Sequence, residues 1–282
     1  MVDRNPWLTF ISHAVLILGV AIVAFPLYLA LIASTHTADA IVQSPMPLLP
    51  GAHMWDNYKE ALLGSGKLGS NTNVVHMMWV SFVVAMVITL GKIAISLLSD
   101  FAIVYFRFPF KMLCFWAIFL TLMLPVEVRI LPTYKVVADL GLLNSYAGLT
   151  LPLIASATAT FLFRQFFLTV PDELAEAARI DGAGPLRFFK DVIWPLSRTN
   201  VLALFVIMFI YGWNQYLWPL LITTSSDYYT IVAGIKRMAD AVDGLPQWHL
   251  VMATAMLAML PPVAVVIGMQ RLFVKGLVET EK

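Results

Sequence analysis

Few residues of the chain have the type and spacing that catalysis or metal binding requires. The histidines are isolated from one another and none belongs to an HExxH pair: His13, His36, His53, His76 and His249. Cys114 is the single cysteine, which excludes an intramolecular disulfide and a cysteine-based metal cluster. No paired aspartates or GxSxG turn support a membrane-embedded enzyme. The sequence therefore predicts a protein without a catalytic or metal site of its own.

Two cations lie in or near strongly apolar stretches, Lys92 and Arg129. An ionisable side chain inside a membrane is a functional hypothesis by default, because its placement is energetically unfavourable. A structural explanation stays open for both. Lys92 lies near the inner end of its stretch and could extend its amine to the surface. Arg129 could pair with Glu127 or lie at the outer interface.

Two further segments carry candidate binding residues. Trp213, Asn214 and Tyr216 combine an amide with aromatic faces and could line a polyol site, or could pack between helices. The segment 64–69, Gly-Ser-Gly-Lys-Leu-Gly, formally matches GxGxxG but lacks the flanking strand and helix of a dinucleotide-binding unit. No Ser or Thr follows Lys67, so it is not a P-loop either. We expect no ATP hydrolysis by this chain.

The composition shows which elements must position these residues. The chain has 282 residues, of which 60% are apolar and 12% charged, with a mean hydropathy of +0.82 and a net charge of +1. An average soluble domain is about 25% charged, so too few charges are present to cover a soluble surface. The near-neutral balance also argues against nucleic-acid binding. A soluble enzyme and a disordered chain are excluded, and a polytopic membrane protein is predicted.

Hydropathy predicts an all-α fold with six transmembrane helices in a single transmembrane domain over residues 1–282. A bilayer core of about 30 Å needs about 20 apolar residues for each helix. The six expected spans are 11–33, 74–98, 112–131, 146–167, 201–222 and 250–273. With the N-terminus inside, the cytoplasmic segments hold eleven Lys and Arg residues against six outside. This bias predicts that both termini are cytoplasmic.

The cytoplasmic loop over 168–198 contains an unusual short helix. Pro171 suits a first helical turn, and Asp172 and Glu173 suit the positive end of the helix dipole. Leu174, Ala177 and Ala178 are expected on one face, with Gly182 as the C-terminal cap. A second amphipathic piece is expected over 186–193, ending at Pro195 before the fifth span. The small apolar face and acidic first turn favour insertion into a groove of a partner over binding to anionic headgroups.

This loop closely resembles the EAA loop of permease subunits of binding-protein-dependent ABC importers. Glu176-Ala-Ala-Arg-Ile-Asp-Gly182 is followed after nine residues by Val192-Ile-Trp-Pro195. The departures, Val192 for Ile and Trp194 for Leu, are both apolar. Four more segments look like the carbohydrate-uptake subgroup, and more narrowly like the second permease of the maltose and sn-glycerol-3-phosphate systems: 129–132, 141–144, 213–220 and 270–277.

The resemblance implies a type I ABC importer permease fold in a bacterial inner membrane. It also implies a second homologous permease subunit, two copies of an ATPase subunit that bind ATP and Mg, and a periplasmic substrate-binding protein. No cofactor is implied for the chain itself. Carried over by motif position, the residues that contact the ATPase would be Glu176, Ala177, Ala178, Asp181 and Gly182. Glu176 would be the charged anchor, and Gly182 would set the angle between the two short helices.

The resemblance further implies alternating access for a small polar solute, sn-glycerol-3-phosphate or a glycerophosphodiester. Lys92 and Arg129 would then be candidate donors to a dianionic phosphate. Another sugar or polyol is the alternative substrate. An ion-coupled secondary transporter is more remote, because no convincing inverted repeat is visible and Asp100 and Glu127 are the only acids near the spans.

Overall fold

The structure, a computed structural model, describes residues 6–64, 73–121, 124–240 and 246–278, with the backbone alone at 126, 127 and 271–278. Over these ranges the chain forms helices and no strand, which confirms the all-α prediction. In chain order the helices are α1 Pro6–Ala33, α2 Ala38–Val42, α3 Met54–Leu63, α4 Val74–Tyr105, α5 Lys111–Leu120, α6 Val126–Asp139, α7 Tyr146–Thr150, α8 Ala157–Phe167, α9 Asp172–Ile180, α10 Pro185–Phe188, α11 Trp194–Trp213, α12 Leu217–Ile222, α13 Ile231–Ala239 and α14 Trp248–Val278.

The described residues belong to two compact units. The first unit comprises the residues up to His76 together with Gly234–Leu260. The second comprises Met77–Ala233 and the residues from Pro261 onward. Every candidate site residue lies in the second unit, so the site below is built within that unit alone.

Four helices of the described chain are long and apolar enough to cross a membrane: Pro6–Ala33, Val74–Tyr105, Pro185–Trp213 and Trp248–Gln270. The first, second and sixth predicted spans are confirmed as helices, each longer than hydropathy alone indicated. The fourth corresponds to a broken pair, Tyr146–Leu153 and Ala157–Phe167, which meet at an angle of 46°. The polytopic architecture is therefore confirmed, with interruptions that the hydropathy pattern did not show.

The third predicted span is not one continuous helix. Instead, α5 covers ten residues, and α6 begins separately after Pro125. Pro125 has no N–H to donate and disfavours the helical conformation at the residue before it, which favours an interruption at this position. The span expected within 112–131 is therefore divided between α5 and the start of α6. Residues 122 and 123 lie outside the described ranges.

The fifth span begins and ends earlier than predicted. α10 continues through a π-helical turn, Phe189–Ile193, directly into α11, so the expected separate piece ending at Pro195 was wrong. In an ordinary α-helix the Pro195 ring would collide with the carbonyl of residue 191. The wider turn immediately before it accommodates the proline. At its other end α11 stops at Trp213, and the chain resumes as α12 only at Leu217.

An aromatic cluster forms the packed base beneath the 168–198 loop, and its members are Phe101, Tyr105, Phe163, Phe167 and Phe188. These rings come from α4, α8 and α10. Neighbouring ring centroids lie 5.2–6.2 Å apart, within the range of favourable aromatic pairs. The cluster therefore joins the end of α4 to α8 and α10, the helices before and after α9.

A second core joins α7 to α12. The indole N–H of Trp218 donates to the Gly148 carbonyl at 3.0 Å. The side-chain oxygen of Asn144 accepts from the backbone N–H groups of Thr224 at 2.6 Å and Ser225 at 2.9 Å. Asn144 has a positive φ of 50°, a conformation that asparagine tolerates better than most residues. These bonds fix the end of α12 relative to the start of α7.

The first unit is held by a side-chain clamp. The Asn57 amide of α3 donates to the carbonyls of Ser34 at 2.9 Å and His36 at 2.8 Å, just beyond the end of α1. The Gly51 N–H donates to the Thr35 hydroxyl at 2.8 Å in the same region. Because the last carbonyls of a helix have no partner within it, these donors stabilise the end of α1.

Candidate functional site

Helix α9, Asp172–Ile180, lies between α8 and the long α10–α11 helix and carries the predicted contact residues. Pro171 is the residue immediately before its first turn, with φ −60° and ψ 136°. Asp172 and Glu173 occupy the first turn and Arg179 the last, so the charges complement the helix dipole at both ends. The local sequence thus accounts for a helix that begins and ends within nine residues.

The end of α9 is fixed by Gly182, as its position predicted. Gly182 has φ +71°, and its N–H donates to the Arg179 carbonyl at 3.1 Å. The next N–H, of Ala183, reaches back to the Ala178 carbonyl at 2.8 Å. This bond pair is a Schellman motif, which ends a helix sharply and turns the chain away. Asp181, between the helix and Gly182, is exposed, and its N–H donates to the Ala177 carbonyl at 3.0 Å.

The inner face of α9 packs on the chain itself. Ala175 and Ala178 are half-buried against the aromatic cluster, beside a small cavity of about 180 Å³ lined in part by Phe101, Tyr105 and Phe188. Ala178 was expected on one face with Leu174 and Ala177, and the structure places it against the cluster together with Ala175. Ala175 and Ala178 are three residues apart and therefore lie on the same side of the helix.

The outer face of α9 is more apolar than the alanines indicated. Glu176, Ala177 and Ile180 are exposed, and Ile180 retains 86% of its accessible surface. Leu186, on α10 just beyond the turn, retains 84%. Sequence reasoning missed both aliphatic side chains. The available signal was the spacing, since Ile180 follows Ala177 by three residues and Glu176 by four and must share their side of the helix.

A large cavity of about 750 Å³ opens in the same unit. Its walls come from α4, α5, α6, the α7–α8 bend, α11 and α12. Its lining is mostly apolar and includes the polar side chains of Lys92, Thr121, Arg129, Thr133, Ser156 and Gln215. Concave sites with a few converging polar groups are typical of small-molecule binding. The structure therefore brings the two sequence-predicted cations, Lys92 and Arg129, to one cavity.

Lys92 does not extend to a membrane surface. It lies 13 residues before the end of α4, about 20 Å along the helix at 1.5 Å per residue, and only 6% of it is exposed. Its ammonium nitrogen stands 3.8 Å from the centroid of the Tyr211 ring on α11. The snorkelling interpretation was therefore wrong. The alternative prediction, an ion pair between Arg129 and Glu127, concerns a carboxylate that is not among the described side chains.

The three residues expected to line a polyol site are placed elsewhere. Trp213 is only 2% exposed, and its ring stacks on Phe209 with centroids 5.9 Å apart. Asn214 and Tyr216 lie in the break between α11 and α12, and neither lines the large cavity. The break turns Tyr211, Gln215 and Trp218 toward the cavity instead. The periodicity of a helix could not predict which way Asn214 and Tyr216 point, because α11 ends at Trp213.

Two other predictions concern nucleotides and metals. Residues 65–69 of the GxGxxG match lie outside the described ranges. Within the described ranges no group of three His, Cys, Asp or Glu side chains could hold a metal ion.

Comparison with solved structures supports the fold. The chain superposes on a chain of a bacterial ABC transporter involved in the import of the acidic polysaccharide alginate, with a TM-score of 0.76. The match covers 96% of this chain and 98% of the other, at 20% sequence identity. This likeness shows a permease fold of the ABC importer type.

Comparison with curated proteins gives much closer relatives. The chain is 61% identical over 282 residues to the sn-glycerol-3-phosphate transport system permease protein UgpE of Agrobacterium fabrum, and 59% identical to the protein of that name from Brucella melitensis. It is 58% identical over 283 residues to UgpE of Escherichia coli strain K12. Each of these alignments covers 100% of both chains.

A family model described as binding-protein-dependent transport system inner membrane component matches residues 3–279. The match spans every helix described above, including α9 and the helices on both sides of it. It agrees with the apolar spans and with the motif on which the resemblance rested. This chain belongs to the family of inner-membrane components of binding-protein-dependent transport systems.

Proposed function

We propose that the chain is the permease subunit of an ATP-driven importer that carries sn-glycerol-3-phosphate from the periplasm to the cytoplasm. The substrate rests on the names of relatives that are 58–61% identical over their full length. The coupling role rests on one structural observation. A short helix with an exposed apolar outer face is clamped through its inner face to the helices that line the large cavity.

The partners belong to the same proposal, which membership of the family supports. A second permease, two ATPase subunits and a periplasmic binding protein complete the importer, in which ATP and Mg bind to the ATPase. The permease has no catalytic site of its own and spans the inner membrane with both termini in the cytoplasm. The charged and small groups of the 176–182 motif then face the ATPase on the cytoplasmic side. Of these, Ala178 would act indirectly, by seating α9 on the chain.

The coupling mechanism uses the two faces of α9. The outer face, comprising Glu176, Ala177, Ile180 and Leu186, docks to the ATPase. When the ATPase dimer closes on ATP, the docked helix moves with it. The inner face transmits this motion, because Ala175 and Ala178 pack on rings of α4 and α10. α4 carries Lys92 of the cavity, and α10 continues into α11, which carries Tyr211. Movement of α9 therefore acts on two walls of the cavity.

The test of substrate and energy source is uptake by the complete importer in proteoliposomes. We expect ATP-dependent uptake of radiolabelled sn-glycerol-3-phosphate and ATP hydrolysis stimulated by its loaded binding protein. Uptake of a sugar or an uncharged polyol in place of the phosphate ester would overturn the substrate. Transport by this chain with an ion gradient and without the ATPase subunit would overturn the importer mechanism.

A variant tests the coupling helix directly. Glu176→Lys reverses the charged anchor on the outer face, so we expect loss of uptake and of substrate-stimulated ATP hydrolysis with normal membrane insertion. The matched control is Asp139→Lys, which reverses an exposed carboxylate of α6 that pairs with Lys135 at 3.0 Å. Normal uptake by Glu176→Lys would contradict the role of this residue.

A further inference from the structure

The large cavity holds two cations without a matching anion. Lys92 and Arg129 both line it, and no Asp or Glu does so among the described side chains. Two like charges in an apolar cavity of a membrane protein are unfavourable unless an anion compensates them. This arrangement calls for an anionic ligand.

Lys92 contacts the aromatic ring of Tyr211 and forms no ion pair with the described residues. Its ammonium lies 3.8 Å from the centroid of the Tyr211 ring, close enough for a cation–π interaction. Within the described residues no carboxylate comes within salt-bridge distance of it. A ring attracts the cation without neutralising its charge. The amine is thus oriented by Tyr211, and no described carboxylate occupies the place of a ligand anion.

The two cations differ in a way that suits a phosphate group. The Arg129 guanidinium can donate two parallel hydrogen bonds to phosphate oxygens, whereas the Lys92 ammonium acts as a compact point charge. Both residues line the cavity, where Arg129 is exposed and Lys92 is buried. Hydroxyl and amide groups of Thr121, Ser156 and Gln215 lie on the same lining. They provide acceptors and donors for the neutral part of a polar phosphate ester.

We propose that Lys92 and Arg129 bind the phosphate group of the transported solute in this cavity, and that Tyr211 positions Lys92. The proposal rests on the proposed function and assigns the site to this permease rather than to its partner subunit. A phosphate monoester is close to doubly charged at pH 7, since its second pKa is about 6. Two cations therefore match a monoester better than a singly charged phosphodiester.

The experiment measures uptake by the complete importer with Lys92→Met and Arg129→Gln, separately. Methionine keeps the length and apolar stem of lysine but removes its charge. We expect each variant to lower the uptake of subsaturating sn-glycerol-3-phosphate at least tenfold. Uptake of a singly charged glycerophosphodiester should fall by a smaller factor. Lys92→Arg, which restores the charge, should recover most of the activity.

Tyr211 provides a second, independent arm. Tyr211→Leu removes the ring and should lower the preference for the dianion over the singly charged phosphodiester. Tyr211→Phe keeps the ring and should retain that preference, and equal loss of it in both variants would overturn the positioning role. Lys135→Gln is the charge-matched control, because Lys135 is exposed and pairs with Asp139 outside the cavity lining. Binding of solute to the isolated periplasmic protein is unaffected by all these variants and keeps delivery constant.

The outcomes separate this site from the proposed function. If the wild-type importer takes up no sn-glycerol-3-phosphate, the proposed function fails. If the wild type transports it and both Lys92→Met and Arg129→Gln stay within twofold, the phosphate site is overturned. The site is also overturned if Lys92→Arg and Lys92→Met lose activity equally, because that pattern indicates packing rather than charge. If Lys92→Met does not assemble, Arg129→Gln alone tests the site, and uptake within twofold of wild type by that variant overturns it.

Discussion

Truncation of Ile180 should weaken the docking of the ATPase by about 30-fold. The side chain retains 86% of its surface in the permease alone, so docking on the outer face of α9 would bury nearly all of it. Ile180→Ala removes about three carbons, worth about 0.8 kcal/mol each when buried. The sum is about 2.4 kcal/mol for full burial, or about 2 kcal/mol for the 86% of the surface that docking can bury. This corresponds to about a 30-fold change in Kd at 1.4 kcal/mol per tenfold.

The assay is equilibrium binding of the purified ATPase subunit to the permease pair in nanodiscs. Folding of the permease should be unaffected, because an exposed side chain contributes little to its core. Ile267→Ala is the matched control, since it removes the same atoms from an exposed residue of α14. We expect that control to bind as the wild type does.

Leu186→Ala extends the same reasoning across the turn. Its side chain is 84% exposed, and its loss should weaken binding by a comparable factor. Binding within twofold of wild type for both Ile180→Ala and Leu186→Ala would show that the outer face does not dock. In that case the ATPase must contact another part of the 168–198 loop, and the mechanism through α9 would be refuted.

Three further substitutions test the packing that supports these sites. A Cβ at Gly148 would overlap the Leu142 carbonyl oxygen, so Gly148→Ala should destabilise the solubilised protein by about 1–3 kcal/mol, seen as a lower Tm; an unchanged Tm would contradict the contact. Gly182→Val places a branched side chain at φ +71°, which should open the Schellman bonds and speed hydrogen exchange there about 5–30-fold, whereas Gly182→Asn should have a smaller effect. Asp100 is fully buried, and neither of its carboxylate oxygens accepts a hydrogen bond from the described residues. Because an unsatisfied buried polar group is unfavourable, Asp100→Leu should leave the Tm of the solubilised protein unchanged or raise it, and a clearly lower Tm would contradict this reasoning.

The sequence predicted those elements whose signal is local. α1, α4 and α14 are continuous apolar runs, and hydropathy over such a length leaves few alternatives to a spanning helix. α9 was predictable for a different reason, since acidic residues, an alanine-rich centre and Gly182 mark its start and end within eleven residues. In both cases the information needed was contained in the segment itself.

Breaks within the spans were not predictable in the same way. The bend between α7 and α8 and the stop at Trp213 occur in apolar sequence, where hydropathy does not distinguish a helix from a turn. The α7–α8 bend is stabilised by a distant partner. The Gly148 carbonyl, which Pro152 cannot serve because it has no N–H, accepts from the indole N–H of Trp218, seventy positions further along the chain. Such bonds replace the helical ones that a break removes, and only the folded chain shows them.

The position of Lys92 shows why the candidate site was only half predictable. Its place in an apolar run marked it as unusual, but a snorkelling lysine and a cavity lysine have the same local sequence. What distinguishes them is a partner from another helix, and Tyr211 lies 119 positions away in the chain. Trp213, two residues from Tyr211, was the more conspicuous aromatic side chain, yet it stacks inside the core. The residue that shapes the site is therefore the one whose ring meets the cation, and the folded packing of α4 against α11 selects it.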